Sequence, residues 1–335
     1  MNTRIILPVV LVLFFLLLSA GCTGPREEPQ KLKVLAAGSL LSSFGEAEEE
    51  FEASHPGVDV EIEGHGSIQV IRQVTDLHRQ FDVVAVADES LIPDLMYRVN
   101  EATGKNYTDW YLPFARNEMV LAYTAKSLYS EEITPENWPD ILSRPDVRVG
   151  ISNPMLDAAG YRALMLFQLA KDEYDRPDLF GTIIGDHFSP ALNVTADGRN
   201  STIELPEIMR PSDGKLAVRD GSIYLISLLE AGGIDYAVEY RSVAEDMGLK
   251  WVPLDPSVNL GTDEYENNYE RVRVVLGFQR FSSIGRERTG RTIVYAMTIP
   301  SDAKNPDLAR EFIGYVQEQS RLGRPGWPAP LVQEI

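Results

Sequence analysis

The sequence predicts an α/β protein with two lobes and a hinge that the chain crosses twice. Strand and helix patterns alternate along most of the 335 residues, a length sufficient for two domains with separate cores. Four of the helical patterns begin at a turn that carries glycine, serine or aspartate. Strand patterns further along predict that the chain leaves the first unit at about residue 115 and returns to it at about residue 296.

The first of these turns follows residues 32–37, an apolar run that predicts a strand. Gly38 and Ser39 break the run, and apolar residues then recur at spacings of three and four as far as Phe51. Glycine relieves steric limits at a turn, and the unpaired N–H groups of a helix N-terminus favour anions. Gly38 and Ser39 are therefore candidate anion-binding residues.

The second turn carries Ser67, which is predicted to cap the helix that begins there. Residues 58–64 before it alternate as a strand does, and residues 81–88 after the helix form an apolar run typical of a strand buried on both faces. This β-α-β-α-β order predicts a parallel sheet, in which ligands bind beyond the carboxyl ends of the strands. Ser39 and Ser67 are both expected at that edge.

The third and fourth turns belong to the second unit. Residues 147–151 predict a strand, and the loop after it carries Asp157 and leads into an apolar helix that begins at Tyr161. Ser222 precedes a short helix, and the strand after that helix ends at Tyr240. Asp157, Ser222 and Tyr240 are therefore candidates for the same site as the two serines.

The remaining patterns complete a two-lobe organisation. Residues 183–206 are polar and are predicted to be a surface insertion, whereas residues 274–278 and 292–298 are predicted to be strands returning toward the first unit. Lobe I then comprises residues 31–115 and 296–335, and lobe II comprises residues 116–295. Closure of the lobes about the two crossings is expected to trap a ligand between them.

The N-terminus predicts export. Arg4 precedes an apolar run over residues 5–18, which is too short for a comfortable membrane span, and small residues then lead to Cys22, the only cysteine. We expect residues 1–21 to be a signal peptide, Cys22 to be lipidated after cleavage, and residues 22–30 to tether the protein to the outer face of the cell membrane. A plain secretory signal with a chance cysteine is the alternative.

The charge balance limits the partners. With 50 acidic and 31 basic residues, the formal net charge is −19, which argues against nucleic acid and anionic membrane surfaces. An anion site must work through local dipoles and hydrogen bonds, because the overall field does not attract anions. We also expect a monomer without a cofactor. Sequons at Asn106, Asn193 and Asn200 permit glycosylation outside the cell.

Several motifs together carry a family resemblance. They are AAGSL after the first strand, GSIQVIRQV, SNPMLDAAGYRAL, and the spacing from Ser222 to Tyr240. Over residues 31–320 their order resembles the extracytoplasmic tungstate/molybdate-binding proteins of ABC importers. The resemblance implies a type II periplasmic-binding-protein fold, an oxyanion held between the lobes, and delivery to an ABC permease with its ATPase. The ligand contacts it implies are Gly38, Ser39, Ser67, Asp157, Ala158, Ala159, Ser222 and Tyr240.

One implied contact departs from the family pattern. Tungstate-binding members usually carry a glutamate at the position of Ser222, and it coordinates the metal together with the loop aspartate. Asp157 is retained here, and by the resemblance it binds the molybdenum or tungsten of the oxyanion. Glu239 is a candidate substitute for the missing carboxylate, but alternation along a strand predicts its side chain on the face opposite to Tyr240.

A bare carboxylate repels a dianion, so Asp157 needs a specific role. It is protonated, or it accepts a local backbone N–H, or it donates an oxygen to a Lewis-acidic metal centre. The third role distinguishes molybdate and tungstate from sulfate, whose sulfur does not expand its coordination.

Other functions remain as alternatives. The sequence contains no G-x-S-x-G, H-E-x-x-H or P-loop motif, which disfavours a hydrolase, although the members of a catalytic triad need not be adjacent. Receptors for sulfate, phosphate or ferric iron are closer alternatives. Asp157 is a candidate acceptor for a phosphate proton, and Tyr265 and Tyr269 are a candidate iron-binding pair in an acidic loop. We therefore predict a binding protein and not an enzyme.

Overall fold

The computed structural model describes residues 28–277 and 286–331, so the predicted signal peptide and Cys22 lie outside the described residues. In these residues the α-helices are α1 (Leu41–Ser54), α2 (Ser67–Thr75), α3 (Leu91–Met96), α4 (Trp138–Ser143), α5 (Ala158–Glu173), α6 (Leu179–Ile183), α7 (Tyr224–Glu230), α8 (Arg241–Asp246), α9 (Glu266–Tyr269) and α10 (Pro306–Arg321). The strands are β1 (Gln30–Ala37), β2 (Val58–His65), β3 (Val83–Val86), β4 (Val99–Asn100), β5 (Lys105–Asn106), β6 (Leu112–Asn117), β7 (Met119–Tyr123), β8 (Val149–Ser152), β9 (Asn193–Asp197), β10 (Asn200–Glu204), β11 (Leu216–Arg219), β12 (Tyr236–Tyr240), β13 (Lys250–Val252), β14 (Val272–Val275), β15 (Glu287–Thr289), β16 (Ile293–Thr298) and β17 (Ala329–Pro330). Over the same ranges, every helix is too short or too polar to cross a membrane.

The first sheet has the strand order β17-β6-β16-β3-β1-β2. Strand β1 pairs in parallel with β2 and β3, whereas β16 runs antiparallel to β3 and β6. All four residues of β3 are buried, as the continuous apolar run predicted. The parallel core of this sheet brings the turns after β1 and β2 to one edge, as the sequence predicted.

The second sheet has the strand order β11-β8-β12-β7-β13. Strand β8 runs parallel to β11 and β12, and β7 is antiparallel to β12 and β13. Helix α5 follows β8, and residues 158–170 of that helix are all buried. A helix that is apolar on nearly all sides is typical of the interior of a large domain.

A third sheet, with the order β15-β14-β10-β9, was not expected. Residues 193–197 and 200–204, predicted to belong to a surface insertion, form a hairpin. Strand β14 pairs with β10 and β15 in this sheet, so the prediction that it returns toward the first unit was wrong. A short alternating pattern specifies a strand but leaves its partner undetermined. Residues 293–298 do enter the first sheet, as β16.

The chain leaves the first sheet at one short segment and returns to it at another. Strand β6 of the first sheet ends at Asn117 and β7 of the second begins at Met119, which leaves only Glu118 between them. The return runs from the third sheet, between the end of β15 at Thr289 and the start of β16 at Ile293. Both passages are therefore short enough to act as hinge strands.

Candidate functional site

Turns from both large sheets meet around one small cavity. Its volume is about 10 Å³, close to the minimum that one water molecule requires. The lining residues are Gly38, Ser39, Gly64, His65, Gly66, Asp157, Gly221, Ser222, Ile223, Tyr224 and Tyr240. Five of the eight predicted contacts thus line it, while Ser67, Ala158 and Ala159 lie at the adjoining helix starts. The site is assembled and closed.

Ser39 lies in a 3-10 turn, Gly38–Leu40, directly after β1. Its Oγ is 3.0 Å from the Oη of Tyr295, and that phenol oxygen also accepts a hydrogen bond from Asn117 Nδ2 at 3.2 Å. Tyr295 lies on β16, and Asn117 ends β6 beside the first passage between the sheets. Ser39 is therefore connected by hydrogen bonds to the segment on which the sheets would move.

Ser67 is the first residue of α2, whereas Gly66 occupies the N-cap position that was predicted for Ser67. The Ser67 Oγ accepts the backbone N–H of Ala87 at 3.0 Å, so this hydroxyl ties α2 to the end of β3 and cannot cap its own helix. Its proton remains free to donate. The backbone N–H of Ser67 lies 3.5 Å from Asp157 Oδ1.

Asp157 is the N-cap residue of α5, and its carboxylate is buried between the two sheets. Oδ2 accepts the Ser222 N–H at 3.0 Å, and Oδ1 faces the Ser67 N–H. Burial raises the pKa of Asp157, and the backbone N–H groups oppose that rise. Of the three roles considered for this carboxylate, the structure shows the acceptance of backbone N–H groups. Asp157 thus occupies donors that are suited to an anion.

Ser222 lies two residues before the first residue of α7, and its hydroxyl donates to Glu239 Oε1 at 2.9 Å. The same Glu239 oxygen accepts the Tyr240 N–H at 2.8 Å, and the side chain is fully buried. The prediction that this carboxyl group faces away from the site was therefore wrong. Alternation fixes only the direction of Cβ, and the further torsions of glutamate turn the carboxyl group around the end of β12.

Arg162 of α5 is a site residue that sequence reasoning missed. It is 2% exposed, and its Nη1 donates to the Tyr240 Oη at 2.8 Å and to the Ala87 carbonyl oxygen at 2.6 Å. Asp88 completes the cluster: its Oδ1 lies 3.9 Å from Arg162 Nη2, and its Oδ2 accepts the Tyr161 hydroxyl at 2.5 Å. Arginine in an otherwise apolar helix was the available signal, because such a charge requires a buried partner.

The candidate iron pair is not part of this cavity. Tyr269 is buried, and its hydroxyl donates to the carbonyl oxygen of Pro256. Tyr265 is likewise absent from the cavity lining. His65 does line the cavity, but its Nε2 lies 2.7 Å from Glu63 Oε1, whose carboxylate is also bound by Arg79. The cavity is therefore dominated by hydroxyls and backbone N–H groups.

The sequence matches known families of binding proteins. The profile of the bacterial extracellular solute-binding protein family covers residues 32–322. A solute-binding protein of Methanoculleus marisnigri is 36% identical, over 98% of this chain and 94% of the relative. The molybdate/tungstate-binding protein WtpA of Pyrococcus abyssi is also 36% identical, over 91% of this chain and 86% of the relative.

Solved structures confirm the predicted type II periplasmic-binding-protein fold. The periplasmic molybdate-binding protein of Azotobacter vinelandii has a TM-score of 0.56 at 14% identity, over 90% of this chain and 100% of that one. The sulfate-binding protein SubI of Mycobacterium tuberculosis has a TM-score of 0.54 at 14% identity, over 90% and 87%. Family profile and relatives agree that this is a solute-binding receptor and not an enzyme. The chain belongs to the bacterial extracellular solute-binding protein family.

Proposed function

We propose that this protein captures molybdate or tungstate between its two lobes and delivers the oxyanion to an ABC permease with its ATPase. The observation that carries the proposal is the meeting of neutral donors from both large sheets at one buried carboxylate, Asp157. Neutral, pre-aimed N–H groups suit a tetrahedral dianion in a chain whose net charge is −19. The 36% identity to WtpA supports this choice of anion.

The proposed contacts come from five segments that line or adjoin the cavity. Gly38 and Ser39 follow β1, and Ser67 begins α2. Asp157, Ala158 and Ala159 form the start of α5, Ser222 precedes α7, and Tyr240 ends β12. On ligand entry the Asp157 carboxylate leaves the two N–H groups to the anion and donates an oxygen to molybdenum or tungsten. The sulfur of sulfate does not accept a further oxygen ligand, so the interaction of sulfate with Asp157 itself would be repulsive.

Lobe I is proposed to comprise residues 31–115 and 296–335, and lobe II residues 116–295. Contacts between turns of the two large sheets support closure about the passages at 118 and 290–292. The backbone N–H groups of Ile68 and Gln69 both donate to the Leu156 carbonyl oxygen at 3.1 Å. These bonds join the start of α2 to the loop before α5.

Gly66→Ala should weaken tungstate binding about ten- to a hundredfold. A Cβ at Gly66 would lie 2.5 Å from the Leu156 carbonyl oxygen, so closure would require overpacking that costs about 1–3 kcal/mol. Calorimetric titration measures the effect. Gly45→Ala is the matched control, because an added Cβ there meets nothing within 4 Å and the helix gains about 0.5–1 kcal/mol. Wild-type affinity in Gly66→Ala would refute so close an approach of the lobes.

Membership of an extracellular solute-binding family places the protein outside the cytoplasm. We further propose that residues 1–21 are removed, that Cys22 is lipidated, and that residues 22–30 tether the protein to the membrane as a monomer. Mass spectrometry of the mature N-terminal peptide from cells tests this: a diacylglycerol-bearing Cys22 is expected. An unmodified Cys22, or release of the wild-type protein into the medium, contradicts it.

Calorimetry of the full chain in mild detergent tests the proposed function. We expect tight binding of tungstate and molybdate, with sulfate and phosphate at least about a hundredfold weaker, a difference of about 2.7 kcal/mol. Nanomolar capture would require about 12 kcal/mol, which six to eight donors in a closed cleft are able to supply. Binding of phosphate, sulfate or ferric iron in preference to both metal oxyanions would overturn the proposal.

A further inference from the structure

Two hydroxyls of the cavity are polarised in opposite senses by two buried side chains behind them, the guanidinium of Arg162 and the carboxyl group of Glu239. Arg162 donates to the Tyr240 oxygen at 2.8 Å, which leaves the phenol proton to be donated elsewhere. Glu239 instead accepts the Ser222 proton at 2.9 Å, which leaves only lone pairs on that serine oxygen. A hydroxyl has a single proton, so Ser222 cannot donate to a ligand while this bond persists.

The surroundings of Glu239 hold this arrangement in place. Its Oε1 accepts two hydrogen bonds, from the Ser222 hydroxyl and the Tyr240 N–H, whereas the fully buried Oε2 has no partner among the residues that the structure describes. Two titratable groups interact with Glu239 through charge. Asp157 contributes to raising the pKa of Glu239, and Glu239 in turn contributes to raising the pKa of Tyr295. Burial above all, with a contribution from Asp157, raises the pKa of Glu239 to about 8.

We propose that Glu239 is a specificity-determining positioning residue, which makes the Ser222 oxygen an electron-pair donor toward the ligand. The inference rests on the proposed function and deepens it. Ser222 then contributes a neutral oxygen beside the Asp157 carboxylate. Such an oxygen favours an anion that presents an electron-poor group to it, either a metal centre or a protonated oxygen. Fully ionised sulfate presents neither.

Three variants separate this role from simple packing. Glu239→Gln keeps a carbonyl oxygen for the Ser222 proton and nearly the same side-chain size, so it is the conservative control. Glu239→Leu removes the acceptor and frees Ser222 to donate. Ser222→Ala removes the oxygen itself. The full chain is titrated by calorimetry at pH 7 with tungstate, which has a metal centre, with phosphate, which carries a proton, and with sulfate, which has neither.

We expect Glu239→Gln to keep the ratio of tungstate to sulfate affinity within threefold of the wild type. Glu239→Leu and Ser222→Ala should each lower that ratio at least tenfold, through weaker tungstate binding and, in Glu239→Leu, tighter sulfate binding as well. If a protonated oxygen can accept the lone pair of Ser222, the variants should weaken phosphate binding as they weaken tungstate binding. If only a metal centre can accept it, phosphate affinity should change as sulfate affinity does. Either result supports the inference and identifies the electron-poor group that Ser222 recognises.

Unchanged ratios in Ser222→Ala, in a wild type that binds tungstate tightly, would overturn this inference and leave the proposed function intact. Ser222→Ala carries the test even if Glu239→Leu fails to fold, because it deletes only one oxygen at the cavity surface. Failure of the wild type to bind any of the three anions would overturn the proposed function and this inference together.

Discussion

Asp157→Ala should lower the affinity for tungstate at least about a hundredfold while it raises the affinity for sulfate. Asp157 is the only acidic residue among those that line the cavity, and the proposed function gives it the direct bond to the metal centre. Loss of that bond accounts for the tungstate effect, about 2.7 kcal/mol or more. Sulfate gains because the N–H groups of Ser67 and Ser222 no longer have an internal acceptor and the repelling charge is gone.

The two halves of this result distinguish coordination from competition. If Asp157 only competes with anions for the N–H groups of Ser67 and Ser222, its removal strengthens the binding of every anion by a similar factor. Calorimetry with tungstate and sulfate on the same variant therefore decides between the two roles. Asp157→Asn is the control, because it keeps the size of the side chain and removes the charge. A parallel rise for both anions in Asp157→Ala would refute metal coordination.

Much of the fold was predictable because it depends on local patterns. The apolar run that became β3 is buried along its whole length, and the turns at Ser39 and Ser67 follow parallel strands of one sheet. The carboxyl ends of such strands share an edge, so no tertiary information was needed to place both serines there. The partner of β14 was not predictable, since a four-residue alternating strand fits the edge of any available sheet.

The charged groups behind the site were not predictable for a different reason. Their positions depend on side-chain torsions and on partners far away in sequence. The Glu239 carboxyl group turns to Ser222, against the alternation of its strand, and Arg162 reaches Ala87, which follows β3 in the other part of the chain. Residue types in the sequence revealed that these charges needed partners, but only the structure reveals which partners they have.

Arg162 connects the ligand site to closure of the lobes. Through Tyr240 it touches the cavity, and through Ala87 and Asp88 it binds the end of a strand in the first sheet. The charges of Arg162 and Arg288 and the Tyr161 hydrogen bond hold the pKa of Asp88 down to about 2, although burial acts to raise it. Asp88 is therefore ionised at neutral pH, and removal of Arg162 leaves only Arg288 of these two cations to compensate that buried charge.

Arg162→Leu should lower the free energy of unfolding by about 3–5 kcal/mol, the cost of breaking a buried ion pair from one side. The Ala87 carbonyl oxygen loses a donor and the Asp88 carboxylate loses a nearby positive charge, while leucine replaces part of the packing. Urea denaturation at pH 7 measures the change. Arg162→Lys is the matched control: it keeps the charge but loses the planar fork, so it should recover only part of the stability.

Asp88→Asn in the Arg162→Leu background should recover stability as well, because it removes the uncompensated charge. A loss below about 1 kcal/mol in Arg162→Leu would show that the cluster contributes little to the closed structure, and tungstate affinity should then be unchanged in the same variant.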